Sequence, residues 1–326
     1  MAIMHARCRR NVIPMGLSLK LSRFWLYFSL LAAISGGASA FQGSSQLFDY
    51  GRSAALDVRE EKQIPVEGAR VTSLSYVGAR GSVSAFLVTP ATPGKHPAIV
   101  FAHDLSSKSD EFLAEAIGLA RAPLGAVSLL VDAPTARPFG WRRTFNPRLE
   151  NNDRDIQVQA IVDLRRGIDL LTQRPDVDAS HVGFVGHGNG ANWGAVLAGI
   201  EPRIKAFALV AGMISVSDAM RRDEPDWADL RFVMGKEGFE RYLASIAEVD
   251  AAKYVEHSLG APILLQFGRF DPYVPQDLAA RFSAAVHGRT ITYDAGHAVN
   301  DPAAAPDRQR FLTEYLGRQA GSKVSK

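Results

Sequence analysis

Five short, uninterrupted apolar runs constrain the fold of this chain more than any other feature. They lie at residues 98–102, 126–131, 182–185, 206–210 and 262–267. Runs of this length without polar alternation are typical of strands that are buried on both faces of a parallel sheet. Apolar residues at helical spacing occur at 110–121, 153–173 and 307–316. This alternation predicts an α/β fold with a doubly wound, mostly parallel sheet.

Two further segments alternate apolar and polar residues ahead of the first run. Residues 70–77 and 81–89 are separated by Gly78-Ala79-Arg80, which predicts an antiparallel hairpin with one buried face. Residues 41–68 are polar and irregular, and we expect a lead-in without regular structure. The predicted α/β domain therefore covers residues 69–318, and residues 319–326 form a tail.

Residues 213–260 interrupt the alternation of predicted strands and helices. The segment follows the sixth predicted strand and has the pattern of two or three short helices. An insertion at the carboxyl edge of a parallel sheet lies where such folds bind ligands. We therefore expect either a lid over a ligand crevice or an ordinary long connection.

The N-terminus has the three parts of a secretory signal peptide. A basic head precedes a short apolar run that begins at Phe24 and ends in Ala38-Ser39-Ala40. The run is shorter than the ~20 residues that a membrane span needs. We expect residues 1–40 to be removed after Ala40, which predicts a secreted or periplasmic protein. A retained membrane anchor is the alternative.

Removal of that segment changes the charge of the chain. Residues 1–40 carry five basic residues and no acidic one, so the formal net charge falls from +3 to −2. The remaining sequence shows no basic helix face and no basic run interleaved with aromatics, and so predicts no nucleic-acid partner. The only cysteine, Cys8, also lies in that segment, which excludes disulfides and thiolate metal sites from the remainder. We expect a small-molecule ligand, no cofactor and no stable membrane span after cleavage, while the oligomeric state stays open.

The segment Gly186-His187-Gly188-Asn189-Gly190 has the shape of a nucleophile elbow, G-x-S-x-G, but Gly188 stands in the place of the serine. An acid and a histidine follow it along the chain. Asp271 lies in Gly-Arg-Phe-Asp-Pro, and His297 ends Ala-Gly-His. Two members of a hydrolase triad are therefore present without the third.

This order of motifs resembles the α/β-hydrolase fold family, and in particular its dienelactone-hydrolase and prolyl-oligopeptidase-like branch. The resemblance covers residues 70–318 and rests on the elbow together with residues 101–104, 265–275 and 293–297. It implies that His297 is a general base and that Asp271 orients it. It also implies an oxyanion hole made by the backbone N–H of Asn189 and that of Asp104 or Leu105.

Gly188 departs from the family pattern because it has no side chain. A central elbow residue has strained, positive-φ backbone, which glycine adopts freely. One hypothesis is hydrolysis of a small ester, lactone or other carbonyl compound by water that the His297–Asp271 dyad activates. A second is a pseudoenzyme that binds such a ligand without turnover. From the elbow alone we also expect Gly188→Ser to create or raise esterase activity.

A third hypothesis places a displaced nucleophile in the loop 106–109, at Ser106 or Ser107. The alternative role for these serines and for Ser109 is to cap a helix that begins near Asp110.

The remaining candidates have structural alternatives. We expect His187 to be packed against the elbow and His103 to support the oxyanion loop. A zinc site formed by these two residues and His297 has no spacing motif to support it. Arg137, Arg142 and Arg143 surround Trp141, and they either hold an acidic substrate or form a solvated loop.

Overall fold

The computed structural model describes residues 45–121, 123–137, 152–222, 227–286 and 288–317. Within these residues nine strands form one sheet in the order β1-β2-β3-β5-β4-β6-β7-β8-β9. Their bounds are β1 Arg59–Val66, β2 Ala69–Gly78, β3 Gly81–Pro90, β4 His96–Ala102, β5 Val127–Val131, β6 Val177–His187, β7 Ile204–Val210, β8 Ile263–Gly268 and β9 Arg289–Tyr293.

Eight α-helices connect or follow these strands in the same described residues. Their bounds are α1 Leu113–Leu119, α2 Asn152–Gln173, α3 Asn189–Ile200, α4 Val216–Arg221, α5 Ala228–Ala247, α6 Ala252–Val255, α7 Gln276–Val286 and α8 Ala304–Leu316. A 3-10 helix at Ser109–Phe112 leads directly into α1. The α2 helix ends two residues before Pro175, as the sequence pattern predicts.

The predicted doubly wound sheet is confirmed. Strands β4 to β9 pair in parallel, whereas β1, β2 and β3 pair antiparallel with their neighbours. Successive residues of a strand face opposite sides of a sheet. On β6, Val185 packs in the cluster that includes α1 and α8, while Phe184 lies against Gly194 of α3 on the other side. Helices therefore cover both faces of the parallel part.

Two strands were not predicted, and both lie at sheet edges. Strand β1 falls within residues 41–68, which were expected to be irregular, and seven of its eight residues are exposed. Strand β9 is short and mostly exposed. Edge strands of this kind are held by backbone pairing to one neighbour, so their sequences show no apolar pattern that would predict them. The insertion consequently follows the seventh strand of the sheet rather than the sixth.

The insertion between β7 and β8 contains α4, α5 and α6. It has a small core of its own, in which Met220 of α4 packs against α5. Gly235, with φ 65° and ψ 168°, breaks α5 into two parts. The hydroxyl of Tyr242 in α5 donates to Asp153 Oδ2 of α2 at 2.7 Å, which ties the insertion to the main body.

Several sequence predictions lie outside the described residues. These are the signal peptide at 1–40, the tail at 319–326, and Trp141 with its neighbours Arg142 and Arg143. Among the residues that the structure does describe, no helix is both long and apolar enough to cross a membrane.

Candidate active site

The elbow motif forms a sharp turn between β6 and α3. Strand β6 ends at His187, Gly188 has φ 54° and ψ −115°, and α3 begins at Asn189. A residue that carries a side chain would be strained by roughly 1–3 kcal/mol in such backbone. The turn also packs closely, because a Cβ atom on Gly190 would lie 2.6 Å from the carbonyl carbon of Ala102, and one on Gly186 2.7 Å from Ala191 N.

The space that a nucleophile would need at position 188 is filled by Asp104. A Cβ atom built on Gly188 would contact Asp104 Oδ1, with Asp104 Cγ at 2.6 Å and Asp104 Cβ at 3.0 Å. Real Cβ atoms essentially never approach other atoms to within 3.0 Å. The carboxylate of Asp104, which follows the end of β4, therefore stands where the elbow side chain is missing.

The Asp104 carboxylate accepts hydrogen bonds on both oxygens. Oδ1 accepts from the backbone N–H of Asn189 at 3.1 Å and from Asn189 Nδ2 at 3.4 Å. Oδ2 accepts from the hydroxyl of Ser106 at 2.7 Å and from its backbone N–H at 3.2 Å. Burial acts to raise the pKa of Asp104, but these bonds and the nearby His187 outweigh it and lower the pKa to about 2.

This arrangement corrects the expected oxyanion hole. The N–H of Asn189 is engaged by a carboxylate instead of being open to a substrate oxygen. The N–H of Asp104 donates to Glu111 Oε2 at 3.1 Å, so it too is engaged by a carboxylate. Leu105 lines the adjacent cavity. An anion already occupies the position where a hole would stabilise developing negative charge.

Asp271 and His297 meet at the carboxyl edge of the sheet. His297 Nδ1 lies 2.8 Å from Asp271 Oδ2. The other oxygen of Asp271 accepts the N–H groups of Tyr273 at 2.8 Å and Val274 at 3.0 Å, and its side chain is 0% exposed. A carboxylate fixed in this way selects the tautomer with hydrogen on Nδ1. The lone pair of the His297 ring is then on Nε2, and the residue lines the cavity.

A second histidine–acid pair, which the sequence reasoning missed, supports the first. His187 Nδ1 lies 2.5 Å from Glu111 Oε1, and its Nε2 lies 3.0 Å from the carbonyl oxygen of His297. Burial acts to lower the pKa of His187, but the hydrogen bond and charge of Glu111 and the carbonyl of His297 raise it overall. Both ring nitrogens of the protonated ring donate. His187 is thus packed, as expected, and it also holds the backbone of His297.

His103 supports the loop that carries Asp104. Its Nδ1 lies 2.6 Å from the carbonyl oxygen of Asp104, and its Nε2 accepts the N–H of Ala133 at 2.9 Å. Both ring nitrogens are therefore engaged by the backbone, which argues against the zinc hypothesis for this residue. Across the residues with described positions, no three His, Cys, Asp or Glu side chains form a group that could hold a metal ion.

The expected serine caps are absent from the loop after Asp104. The 3-10 helix has Lys108 at its N-cap position, without a side-chain hydrogen bond. Ser106 instead donates to Asp104, while the backbone N–H of Ser109 donates to Asp132 Oδ1 at 2.9 Å. The short Asp-x-Ser turn satisfies the Asp104 carboxylate rather than the helix.

Arg137 has neither of its expected roles. Its Nη2 forms an ion pair with Asp163 Oδ2 at 2.6 Å, and both side chains are buried. It also donates to the carbonyl oxygen of Asp132. Arg137 is therefore committed to the core between β5 and α2 and is free neither for substrate nor for solvent.

A cavity of about 550 Å³ joins these groups. Asp104, Gly188, Asn189 and His297 form its floor, and the insertion contributes much of its wall. The wall is rich in apolar and aromatic side chains, namely Trp193, Met213, Val216, Met220, Trp227, Tyr242, Ile246, Tyr273 and Leu278. Residues of the insertion at 213–260 thus border this cavity.

A second hollow of about 720 Å³ lies among residues that precede β4 and β5, including Lys95 and His96. It is larger, but its position before the starts of β4 and β5 is the amino edge of the sheet, away from the dyad. Parallel α/β sheets bind ligands at the carboxyl edge. The smaller cavity at His297 is therefore the candidate active site.

Solved structures with a similar architecture include two acetyl xylan esterases and an acylaminoacyl peptidase. Acetyl xylan esterase 1 from Thermoanaerobacterium sp. JW/SL YS485 aligns with TM-score 0.67 and 19% identity over 84% of this chain and 93% of that one. The acetyl xylan esterase from Paenibacillus sp. R4 aligns with TM-score 0.69 and 18% identity over 85% and 93%. The acylaminoacyl peptidase from Pyrococcus horikoshii aligns with TM-score 0.59 and 17% identity over 79% and 44%.

The chain has the α/β-hydrolase fold. The identities to these structures are low, so the likeness extends to the fold. No protein-family model matches the sequence, and no curated protein matches it.

Proposed function

We propose that this protein is a hydrolase-type enzyme that activates water with His297, oriented by Asp271, against a small ligand held in the cavity. The observation that carries the proposal is the 2.8 Å contact between His297 Nδ1 and a fully buried Asp271 carboxylate, with the histidine ring lining the cavity. A general base must reach the proton that it abstracts, directly or through one water. Nε2 of His297 is the group in a position to do so.

Serine is not the nucleophile in this proposal. Position 188 has no side chain, and Ser106 donates its hydroxyl hydrogen to Asp104 Oδ2. A carboxylate with a pKa of about 2 is a weak base toward a serine hydroxyl. The hypothesis of a displaced serine therefore requires Ser106 to leave its present hydrogen bond.

The decisive test compares the wild type with His297→Ala on short-chain esters, lactones, epoxides and alkyl halides. We expect turnover of at least one class that falls by on the order of 10³-fold in the variant. The matched control is His181→Ala, because His181 lies in β6 with its ring at the surface beside Asp178 and does not line the cavity. Equal activity of the wild type and His297→Ala on every class would refute the proposal.

Binding without turnover is the second candidate, and the occupied Asn189 N–H favours it. A substrate carbonyl oxygen would meet the Asp104 carboxylate at the position where the fold offers a donor. This candidate predicts that a cavity ligand binds the wild type and His297→Ala with affinities within about tenfold, as calorimetry would measure. It is rejected if any bound ligand is consumed in a His297-dependent reaction.

We also propose that the protein acts outside the cytoplasm. The basic head, the short apolar run and Ala38-Ser39-Ala40 support export with cleavage after Ala40. N-terminal sequencing of the exported protein should begin at Phe41. A chain that is found only in the cytoplasm with its first forty residues intact would contradict this.

A further inference from the structure

The position and hydrogen bonding of Asp104 are those of a reactive group as much as of a space filler. Its carboxylate lies on the cavity floor together with His297 and fills the space beside Gly188. Oδ1 rests on the N–H of Asn189, the donor that follows the elbow. A catalytic carboxylate can form a covalent intermediate just as a serine can.

We propose that Asp104 is the nucleophile of this site and that its substrate is a small apolar molecule with an electrophilic saturated carbon, such as an epoxide or an alkyl halide. This inference rests on the proposed function, because the intermediate that it requires must be hydrolysed by water that His297 activates. The His297–Asp271 dyad then acts on the ester that Asp104 forms with an epoxide or an alkyl halide.

In the first step, Oδ2 of Asp104 attacks the saturated carbon. A carbon–oxygen bond forms, the bond to the leaving atom breaks, and that atom departs with the electron pair as halide or as the ring-opened alkoxide. Oδ2 is the oxygen suited to attack, because one of its donors is the hydroxyl of Ser106, an exposed side chain that can rotate away. Asn192 lines the same cavity, and its buried Nδ2 has no hydrogen-bond partner among the described residues, so we assign it as a donor to the leaving atom.

In the second step, His297 Nε2 takes a proton from water, and the hydroxide attacks Cγ of the Asp104 ester. The negative charge then develops on Oδ1, which already accepts the N–H of Asn189. Collapse breaks the bond between Cγ and the ester oxygen, and the protonated His297 returns its proton to the departing alkoxide. The Cγ–OH group that remains loses its proton, to solvent when halide was the leaving group and to the ring-opened alkoxide when the substrate was an epoxide. The carboxylate is thereby restored with one oxygen from water, and the product alcohol carries an oxygen from Asp104.

This chemistry is compatible with the occupied oxyanion hole. Attack of water on a substrate carbonyl is not. Attack on a substrate carbonyl develops an oxyanion that would need the Asn189 N–H, and that donor is taken. Displacement at a saturated carbon develops no oxyanion on the carbon under attack. The hole is needed only afterwards, for the ester of Asp104 itself. The aromatic wall formed by Trp193, Trp227 and Tyr273 suits an uncharged, apolar substrate.

The test uses the whole protein with styrene oxide and 1-bromobutane as probes. The variant His297→Gln keeps a polar side chain but removes the base, so the Asp104 ester should accumulate and appear as a mass increase on the peptide that contains Asp104. In the wild type, turnover in heavy-oxygen water should place the heavy isotope in Asp104. Asp104→Asn should lower turnover on the order of 10³-fold, and His181→Ala should match the wild type.

The outcomes separate the two proposals. An adduct on Asp104 in His297→Gln, together with heavy oxygen in wild-type Asp104, supports the inference. If His297→Gln carries no adduct on Asp104 with either probe, the inference is overturned, whether or not the wild type turns over. His297-dependent turnover of esters without any Asp104 adduct would overturn the inference and leave the proposed function standing. An Asp104 adduct that persists in the wild type, with no His297-dependent turnover of any class, would refute the proposed function alone.

Discussion

The carboxyl carbon of Asp104 lies 2.6 Å from the position that a Cβ atom on Gly188 would take. The absence of a side chain at the elbow and the presence of a carboxylate beside it are therefore one structural feature. Neither residue can be replaced by a larger one without a shift of the other. The absence of a side chain at Gly188 leaves no empty space in this fold, because the acidic side chain of Asp104, from the neighbouring strand end, fills it.

This relationship changes what a restored serine should do. From the elbow sequence alone, Gly188→Ser should create esterase activity, but the structure predicts that it does not. The new side chain would collide with Asp104, and the Asn189 N–H would stay occupied. We expect the double variant Gly188→Ser with Asp104→Gly to hydrolyse short-chain esters, since it frees both the space and the donor. Steady-state assays of both variants check this, and an active single variant would contradict it.

The pair formed by the buried His187 and the partly exposed Glu111 should make stability depend on pH. The pKa of His187 is raised above 6.5 and that of Glu111 is lowered below 4.5. The contribution of the pair is therefore full between pH 4.5 and 6.5. It declines as the pH rises through the raised pKa of His187, and also as the pH falls through the lowered pKa of Glu111.

Urea denaturation of the wild type and His187→Gln measures that contribution. We expect a loss of about 1.5–3 kcal/mol near pH 6, as for hydrogen bonds to charged groups, and a smaller loss at pH 9. His181→Gln is the control, because its ring lies at the surface beside Asp178. A difference between the wild type and His187→Gln that grows with rising pH would have the wrong sign for this pair.

Asp250 should control the stability of the insertion. Its carboxylate accepts the N–H of Val216 at 2.7 Å and the hydroxyl of Ser215 at 2.8 Å, which fixes the start of α4 at the cavity wall. Removing it leaves buried donors without a partner, which costs about 1–3 kcal/mol. We expect Asp250→Ala to speed proteolytic cleavage within residues 213–260 before the rest of the chain is cut.

The control for that experiment is Asp218, a residue of α4, the helix that Asp250 holds. Asp218 forms surface ion pairs with Arg221 and Arg281, and exposed pairs contribute about 0–1 kcal/mol. Asp218→Ala should therefore be cleaved at nearly the wild-type rate. Equal cleavage of the Asp250→Ala and Asp218→Ala variants would show that Asp250 does not hold the insertion.

The parallel strands were predictable because strands that are buried on both faces appear in the sequence as continuous apolar runs. Strands β1 and β9 were not, since exposed edge strands depend on pairing that a single sequence does not display. The turn at Gly188 was predictable for a similar reason, because close backbone packing there requires small residues. An element is therefore predictable from a single sequence when its own residues show the pattern that fixes it, and not when pairing with another strand fixes it.

The chemistry of the site was only partly predictable. Asp271 and His297 follow a recognisable order along the chain, so their roles could be assigned before their distance was known. The roles of the Asp104 and Glu111 carboxylates could not be assigned, because they depend on contacts with the elbow that form only in the folded chain. The one available signal was that an acid, Asp104, lies two residues after an apolar strand that ends beside an elbow without a nucleophile.

Whether Asp104 fills the place of the missing side chain is tested most directly by a double-mutant cycle between Gly188→Ala and Asp104→Gly, with the free energy of unfolding as the readout. In the wild-type background, Gly188→Ala should cost the backbone strain of roughly 1–3 kcal/mol and, in addition, the collision with the carboxylate. In the Asp104→Gly background it should cost the strain alone, which gives a coupling energy of at least about 1 kcal/mol. Additivity of the two substitutions within about 0.5 kcal/mol would contradict the placement of Asp104 at the elbow.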